Sequence, residues 1–283
     1  MEGFSQCPWH LAIYGVLVVV AAFAPIYLRV IAAVLLLSPL YIWKQLMDYG
    51  SRLKFPPLAS YFIHNTLWFF SKGYFETFAE TVMQNCKEGD PDSVIKAVDD
   101  FCWKQPTMNV GDVKGKILDE AVMQKKPKVV CELGSFLGYS TVRIARLLDD
   151  KAKLHSVDPS ALGLTMKCAL VSVAGLSSKV TNFFGFSDAF LKQCAEDGTK
   201  IDLLFIDHVK ELYLADLKLA IDLGVLAPGA MVVADNVLTP GAPDYKEWIL
   251  SDEGKKLFTT EVKRTLLEYS KTVPDEVLIS ILK

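Results

Sequence analysis

Two short segments, Asp207-His208-Val209-Lys210 and Asp235-Asn236, each follow an apolar run of strand character, so two carboxylates, an amide and a lysine fall where strands end. Carboxylate and amide oxygens are the donors that magnesium prefers, and its octahedron leaves positions for water and substrate. A phenol bound to such a cation loses its proton more readily. Lys210, three residues beyond Asp207, can return to the same point and accept that proton if burial and the cation lower its pKa. Singly these are ordinary loop residues. Their coincidence at two strand ends makes Asp207, Asp235 and Asn236 candidate metal ligands and Lys210 the candidate catalytic base.

A second chemistry-bearing stretch lies upstream. Glu132-Leu133-Gly134-Ser135-Phe136-Leu137-Gly138 has Glu132 at the end of a strand-like run and precedes a helical run from Thr141 to Leu148, the setting of a nucleotide-binding turn. Its E-x-G-x-x-x-G spacing lacks the diphosphate cradle of G-x-G-x-x-G and suits a cofactor without phosphates. Asp158 closes the next strand run, where an acidic side chain holds ribose hydroxyls. Together Glu132, Gly134 and Asp158 point to S-adenosylmethionine, although close helix–strand packing would also account for the glycines.

The elements that must position these residues follow from the pattern. Apolar runs Lys128 to Cys131, Leu154 to Val157, Val180 to Phe184, Leu203 to Ile206 and Met231 to Ala234 alternate with helical stretches and predict buried parallel strands. The expected fold class is therefore α/β, a Rossmann-like doubly wound, mostly parallel sheet. Asp90-Pro91 predicts a helix start, with Val94, Ile95, Val98 and Phe101 at helical spacing. In the tail, Thr265 to Tyr269 and Glu276 to Leu282 have no helix between them and predict an antiparallel hairpin at the sheet edge, turning around Pro274-Asp275.

Composition narrows the partners. Net charge is −3, with no basic stripe and no aromatics interleaved with Arg or Lys, which argues against nucleic acid. The six cysteines show neither CxxC nor zinc-site spacing and suit free thiols in a reducing compartment. From Leu11 to Leu28 the chain is uncharged, and after Arg29 it is apolar again from Val30 to Trp43. The first run is about the length that crosses a bilayer core, roughly 20 residues. Residues 1–43 are thus expected to be a membrane anchor, one span in preference to a hairpin, and residues 44–73 a membrane-proximal linker containing Pro56-Pro57 and Trp68-Phe69-Phe70. Lys44, Arg52 and Lys54 follow the apolar zone while Glu2 precedes it, so the domain 74–283 is expected on the cytosolic side, as a monomer.

The stretches Met108-Asn109-Val110-Gly111-Asp112-Val113-Lys114-Gly115-Lys116, Glu132-Leu133-Gly134, Gly138-Tyr139-Ser140, Asp207-His208-Val209-Lys210, Ala234-Asp235-Asn236-Val237, Pro240-Gly241-Ala242-Pro243-Asp244 and Leu267-Glu268-Tyr269 occur in order from about Thr77 to the C-terminus. Together they resemble the catechol O-methyltransferase family, and the apolar start is similar to its membrane-bound form. The resemblance implies a class I methyltransferase fold. It implies a cofactor site of Val110, Glu132, Gly134, Ser140, Asp158, Ser187, Asp207 and His208, with magnesium on Asp207, Asp235 and Asn236. Lys210, Asn236 and Glu268 would meet the acceptor, an aromatic diol, Lys210 as base and Glu268 through the second hydroxyl.

This chain departs from the family pattern at the acceptor walls. Pro106 and Val209 stand where the family carries tryptophans, Trp103 replaces one only if its helix end turns inward, Asp158 is one methylene shorter than the usual glutamate, and Asp188 replaces a glutamine. A larger or non-catechol phenol is therefore an alternative acceptor. A non-enzymatic, membrane-bound binding or chaperone-like protein is an alternative function.

Overall fold

The computed structural model describes residues 73–105 and 107–283. The expected anchor, the linker up to residue 72 and Pro106 lie outside them. Every described residue belongs to one compact unit, Phe69–Lys283. Among the described residues no helix is long and apolar enough to cross a membrane.

Helices α1 (Tyr74–Asn85), α2 (Pro91–Cys102) and α3 (Gly111–Lys125) precede the sheet. The expected start of α2 is present: Asp90 caps it by accepting from the Ser93 amide at 3.1 Å, with Pro91 in the first turn. Strand and helix then alternate through β1 (Val129–Leu133), α4 (Tyr139–Ala145), β2 (Lys153–Asp158), α5 (Ala161–Val173), β3 (Val180–Phe184), α6 (Ser187–Glu196), β4 (Ile201–Ile206), α7 (Tyr213–Asp222) and β5 (Leu226–Ala234). Helices α8 (Pro243–Leu250) and α9 (Asp252–Leu257) lead to β6 (Phe258–Leu266) and β7 (Pro274–Leu282).

The strands form one sheet in the order β3-β2-β1-β4-β5-β7-β6, parallel from β3 to β5 and antiparallel at β7 and β6. Leu203, Leu204, Phe205 and Ile206 of β4 are fully buried. Helices cover both faces of a central strand, which explains why this run is apolar without alternation. Tyr213 and Leu217 of α7, Leu191 of α6 and Ile249 of α8 pack in the same core, where each large side chain contributes about 1.5–3 kcal/mol by leaving water.

Register decides what meets at the carboxyl edge. Leu133 pairs with both Val157 and Ile206, and Ile206 with Ala234, so the next residues, Asp158, Gly134, Asp207 and Asp235, emerge abreast. Strand order reverses between β1 and β4, the place where open α/β sheets bind ligands.

Three expectations need correction. Glu132 does not end its strand, because β1 continues to Leu133. The helix after the glycine loop starts at Tyr139 rather than Thr141, since Gly138 at φ 92° forms the turn into it. The tail hairpin exists, but its loop is 267–273. Pro274 and Asp275 are already in β7, paired with Leu266 and Thr265, and β7 lies inside the sheet, with β6 at the edge. Val277, Leu278 and Ser280 are buried, so β7 can fill an interior position while β6 stays half-exposed.

Candidate active site

The glycine loop and the Asp207 segment touch directly. Gly134 has φ 88°, and a Cβ there would lie 2.4 Å from the Asp207 carbonyl oxygen and 2.8 Å from His208 Cα. The Asp207 amide in turn donates to the Leu133 carbonyl at 2.9 Å. Gly134→Ala combines a left-handed backbone, worth about 1–3 kcal/mol, with a clash against main chain that cannot move cheaply. A fall in melting temperature of roughly 5 °C or more is expected, with loss of cofactor binding, read by thermal denaturation and calorimetry.

Four of the five amides from Gly134 to Gly138 are used internally. Gly134 donates to the Val157 carbonyl, Ser135 and Phe136 to Asp158 Oδ2 at 3.0 and 2.8 Å, and Gly138 to the Ser135 carbonyl. A phosphate would need those donors free, so the arrangement accords with a phosphate-free cofactor. Asp158 Oδ1 accepts from Ser160, so both oxygens of the expected ribose ligand already organise backbone. Glu132 is fully buried, and its Oε2 accepts from Thr141 at 2.6 Å and Ser156 at 2.9 Å. Burial raises its carboxyl above the usual range against the opposing pull of surrounding hydroxyls and Lys167. Val110 caps α3 and Ser140 lies in the first turn of α4, both buried.

Ser187 and His208 are joined through Asp216, a buried residue of α7 that sequence reasoning missed. Ser187 Oγ donates to Asp216 Oδ2 at 2.6 Å, and His208 Nε2 lies 2.5 Å from the same oxygen. With Nε2–H donating there, a neutral ring presents Nδ1 as an acceptor, and Nδ1 is buried without a partner. That orphaned atom, and a loop with four of its amides already bonded, fit an adenosyl cofactor lacking phosphates.

Two of the three metal candidates meet at a lysine, and the third, Asp235, faces another. Lys210 Nζ donates to Asp207 Oδ1 at 2.9 Å, to Asn236 Oδ1 at 3.3 Å and to Tyr213 Oη at 2.6 Å. Asn236 adopts a left-handed backbone at φ 53°, and its Nδ2 donates to the Thr239 carbonyl, Glu268 Oε2 and Asp275 Oδ2 at 3.0, 3.2 and 3.0 Å. Those acceptors fix the amide so that its oxygen faces Lys210. Asp235 is fully buried; Oδ2 lies 3.0 Å from Lys114 Nζ, and Oδ1 has no hydrogen-bond partner. Burial pushes its carboxyl up to about 8, with Asp207 and Glu268 adding to the rise and Lys114 opposing it.

Lys114 is the other unanticipated centre. Its fully buried ammonium contacts Asp235 Oδ2 at 3.0 Å, Glu268 Oε2 at 2.8 Å and Asp275 Oδ2 at 2.9 Å. Burial alone would lower its pKa, but the three carboxylates hold it well above the ordinary lysine range. Gly111 permits the approach, since a Cβ there would be 2.6 Å from Glu268 Cβ. Lys114 could have been found, because it shares the buried stripe of Val110, Leu118 and Val122 at helical spacing. Asp275 offered no such signal.

Four carboxyl groups (Asp207, Asp235, Glu268 and Asp275) thus face two ammoniums (Lys114 and Lys210), a formal surplus of two negative charges with Asp235 ionised and of one with it protonated. Among the described residues no three His, Cys, Asp or Glu side chains form a ready metal cage. The donors that would serve a cation are Asp207, Asp235 and the Asn236 amide oxygen, and the charge surplus and the orphaned Asp235 Oδ1 fit a divalent ion. At the rim, Trp103 packs edge-on to Tyr269, with ring centroids 5.7 Å apart, beside Glu268, whereas Val209 is 57% exposed.

The family model described as O-methyltransferase matches residues 91–264. The chain belongs to that O-methyltransferase family. Catechol O-methyltransferase of Mus musculus is 38% identical over 197 residues, covering 68% of this chain and 72% of that protein. The transmembrane O-methyltransferase of Homo sapiens is 32% identical over 176 residues, 60% of each chain. The solved O-methyltransferase from Bacillus cereus superposes with a TM-score of 0.57 at 21% identity, covering 73% of this chain and 91% of that one, a likeness of fold. The expected membership of the catechol O-methyltransferase group, and the class of S-adenosylmethionine-dependent O-methyltransferase, are borne out. For this O-methyltransferase, the five cysteines among the described residues are free.

Proposed function

We propose that this O-methyltransferase moves the methyl group of S-adenosylmethionine to one hydroxyl of an aromatic vicinal diol, with magnesium held by Asp207, Asp235 and Asn236. The observation that carries the reading is the junction at Lys210, where Asp207 Oδ1 and Asn236 Oδ1 converge on one positive charge, beside a cluster with more carboxyl groups than ammoniums. A divalent cation there would stabilise a phenolate, and the sulfonium of the cofactor supplies an electrophilic methyl group. Lys210, as the neutral amine once a bound divalent cation takes over its charge there, would take the proton from the attacked hydroxyl and become the ammonium; Glu268, 2.8 Å from Lys114 and 3.2 Å from Asn236 Nδ2, accepts from the second hydroxyl. Val110, Glu132, Gly134, Ser140, Ser187, Asp207 and His208 would line the cofactor. Asp158 would reach the ribose only through whatever accepting capacity its three amide contacts leave.

The acceptor class extends beyond small catechols. With Val209 exposed and Trp103 packed edge-on to Tyr269, the neighbour of Glu268, one side of the acceptor space is open to larger rings. Residues 1–43 anchor the enzyme as a single span with the catalytic part in the cytosol, and it works as a monomer. The full chain, incubated with labelled S-adenosylmethionine, magnesium and a panel of small and large diols and monophenols, is expected to label diols, to lose activity on chelation and to regain it with magnesium. Absence of transfer to every diol, with no calorimetric binding of S-adenosylmethionine, would reject the function.

A further inference from the structure

Beneath the glycine loop lies a buried lysine that the methyl transfer does not use. Lys167 of α5 is fully buried, and its Nζ donates to Ser135 Oγ at 2.7 Å and to Ser156 Oγ and O at 2.9 and 3.4 Å. Among the described residues it makes no ion pair with a carboxylate. An ammonium in such a place is costly, and burial lowers its pKa, with Glu132 and Asp158 pulling the other way. A structural filler at this position would have been an apolar side chain.

What Lys167 touches gives it a role. Ser135 belongs to the loop itself. Ser156 Oγ, which accepts from Lys167, donates onward to Glu132 Oε2, and the same carboxylate oxygen accepts from Thr141 in α4. The lysine stem also bears on the loop's second glycine: a Cβ on Gly138 would lie 2.8 Å from Lys167 Cγ. One turn earlier in α5, a Cβ on Gly163 would lie 2.7 Å from the Phe136 carbonyl oxygen. Helix α5 thus presses on the loop at two points, and at one of them it delivers a charge. The Ser135 and Phe136 amides are tied to Asp158 by a separate set of bonds, so without Lys167 the loop keeps its backbone anchor and loses its side-chain one.

We propose that Lys167 is a positioning residue for the cofactor, fixing the glycine loop through Ser135 and the Glu132 carboxylate through Ser156. This rests on the reading of that loop as the S-adenosylmethionine site. The site so built presents a buried, oriented acidic group to a cofactor that carries positive charge on its sulfonium and its amino group.

The test uses the full chain and its Lys167→Met and Ser135→Ala variants, titrated calorimetrically with S-adenosylmethionine, with hydrogen exchange at the loop amides in parallel. Both variants should bind the cofactor about tenfold or more weakly and exchange the Gly138 amide, which donates to the Ser135 carbonyl, faster. The acceptor KM at saturating cofactor should stay within about twofold of wild type, a split that general destabilisation would not produce. If Lys167→Met does not fold, Ser135→Ala decides, since it removes only one hydroxyl. Wild-type binding with unchanged affinity and exchange in the folded variants would overturn the role of Lys167. Failure of the wild-type chain itself to bind would overturn the reading of the loop, and this inference with it.

Discussion

Lys210→Ala is expected to cut turnover by about 10²–10⁴-fold, the usual contribution of a positioned proton acceptor, while the affinity for S-adenosylmethionine stays close to wild type. The split follows from what Nζ touches. Its hydrogen bonds go to Asn236 and Tyr213 on the cation and acceptor side and to Asp207, which also lines the cofactor but is tied to β1 through its own amide; none goes to the loop between Gly134 and Gly138. Tyr213 passes its own hydrogen bond to the Asp235 carbonyl at 3.1 Å, and burial keeps its phenol far above the ordinary range, so it orients the lysine rather than competing as a base. Lys210→Arg separates charge from proton transfer: a guanidinium keeps the positive charge but does not accept a proton at neutral pH. It should remain as inactive as alanine in single-turnover kinetics. Equal losses in turnover and cofactor affinity for Lys210→Ala, or an active arginine variant, would remove the base role.

Parallel topology was legible because buried parallel strands carry continuous apolar runs, and the residues that follow those runs are chemically conspicuous. Asp158, Asp207 and Asp235 stand one residue beyond Val157, Ile206 and Ala234, and in-register pairing alone sets them abreast. Strand β7 was harder. It is antiparallel, so its first residues, not its last, reach the functional edge, and Asp275 arrives there beside Asn236 with no local mark of its role. Pro274-Asp275 has the composition of a turn, which is why the turn was expected there. Asp216 and Lys167 were hidden for a related reason, since each sits inside a helix and acts through a hydroxyl or a ring on another element. Sequence spacing reports which face a residue shares with its neighbours along the chain; it does not report which strand end that face will meet.

Lys114 makes the same point with the largest energetic consequence. Replacing it by methionine leaves Asp235, Glu268 and Asp275 without the cation they share, in a region where Asp235 and Asp275 side chains have no exposed surface. Breaking a buried ion pair by removing one partner costs about 3–5 kcal/mol, because the remaining charge stays desolvated. For a domain of this size that is a fall in melting temperature of roughly 10 °C or more. The loss should be partly recovered in Lys114→Met/Asp275→Asn, which deletes one of the stranded charges while keeping an acceptor for the Thr239 amide, bonded at 2.9 Å to Asp275 Oδ1. Glu268 should also become poorly placed, since the Lys114 contact at 2.8 Å helps to hold its Oε2 near Asn236. The acceptor KM of the folded double variant is therefore expected to rise more than its S-adenosylmethionine dissociation constant. Thermal melts and steady-state kinetics on the four chains of the cycle give the coupling directly. If Lys114→Met melts with the wild type, the three carboxyls do not depend on that ammonium, and the charge surplus that favours a divalent cation would need recounting with protons on Asp235.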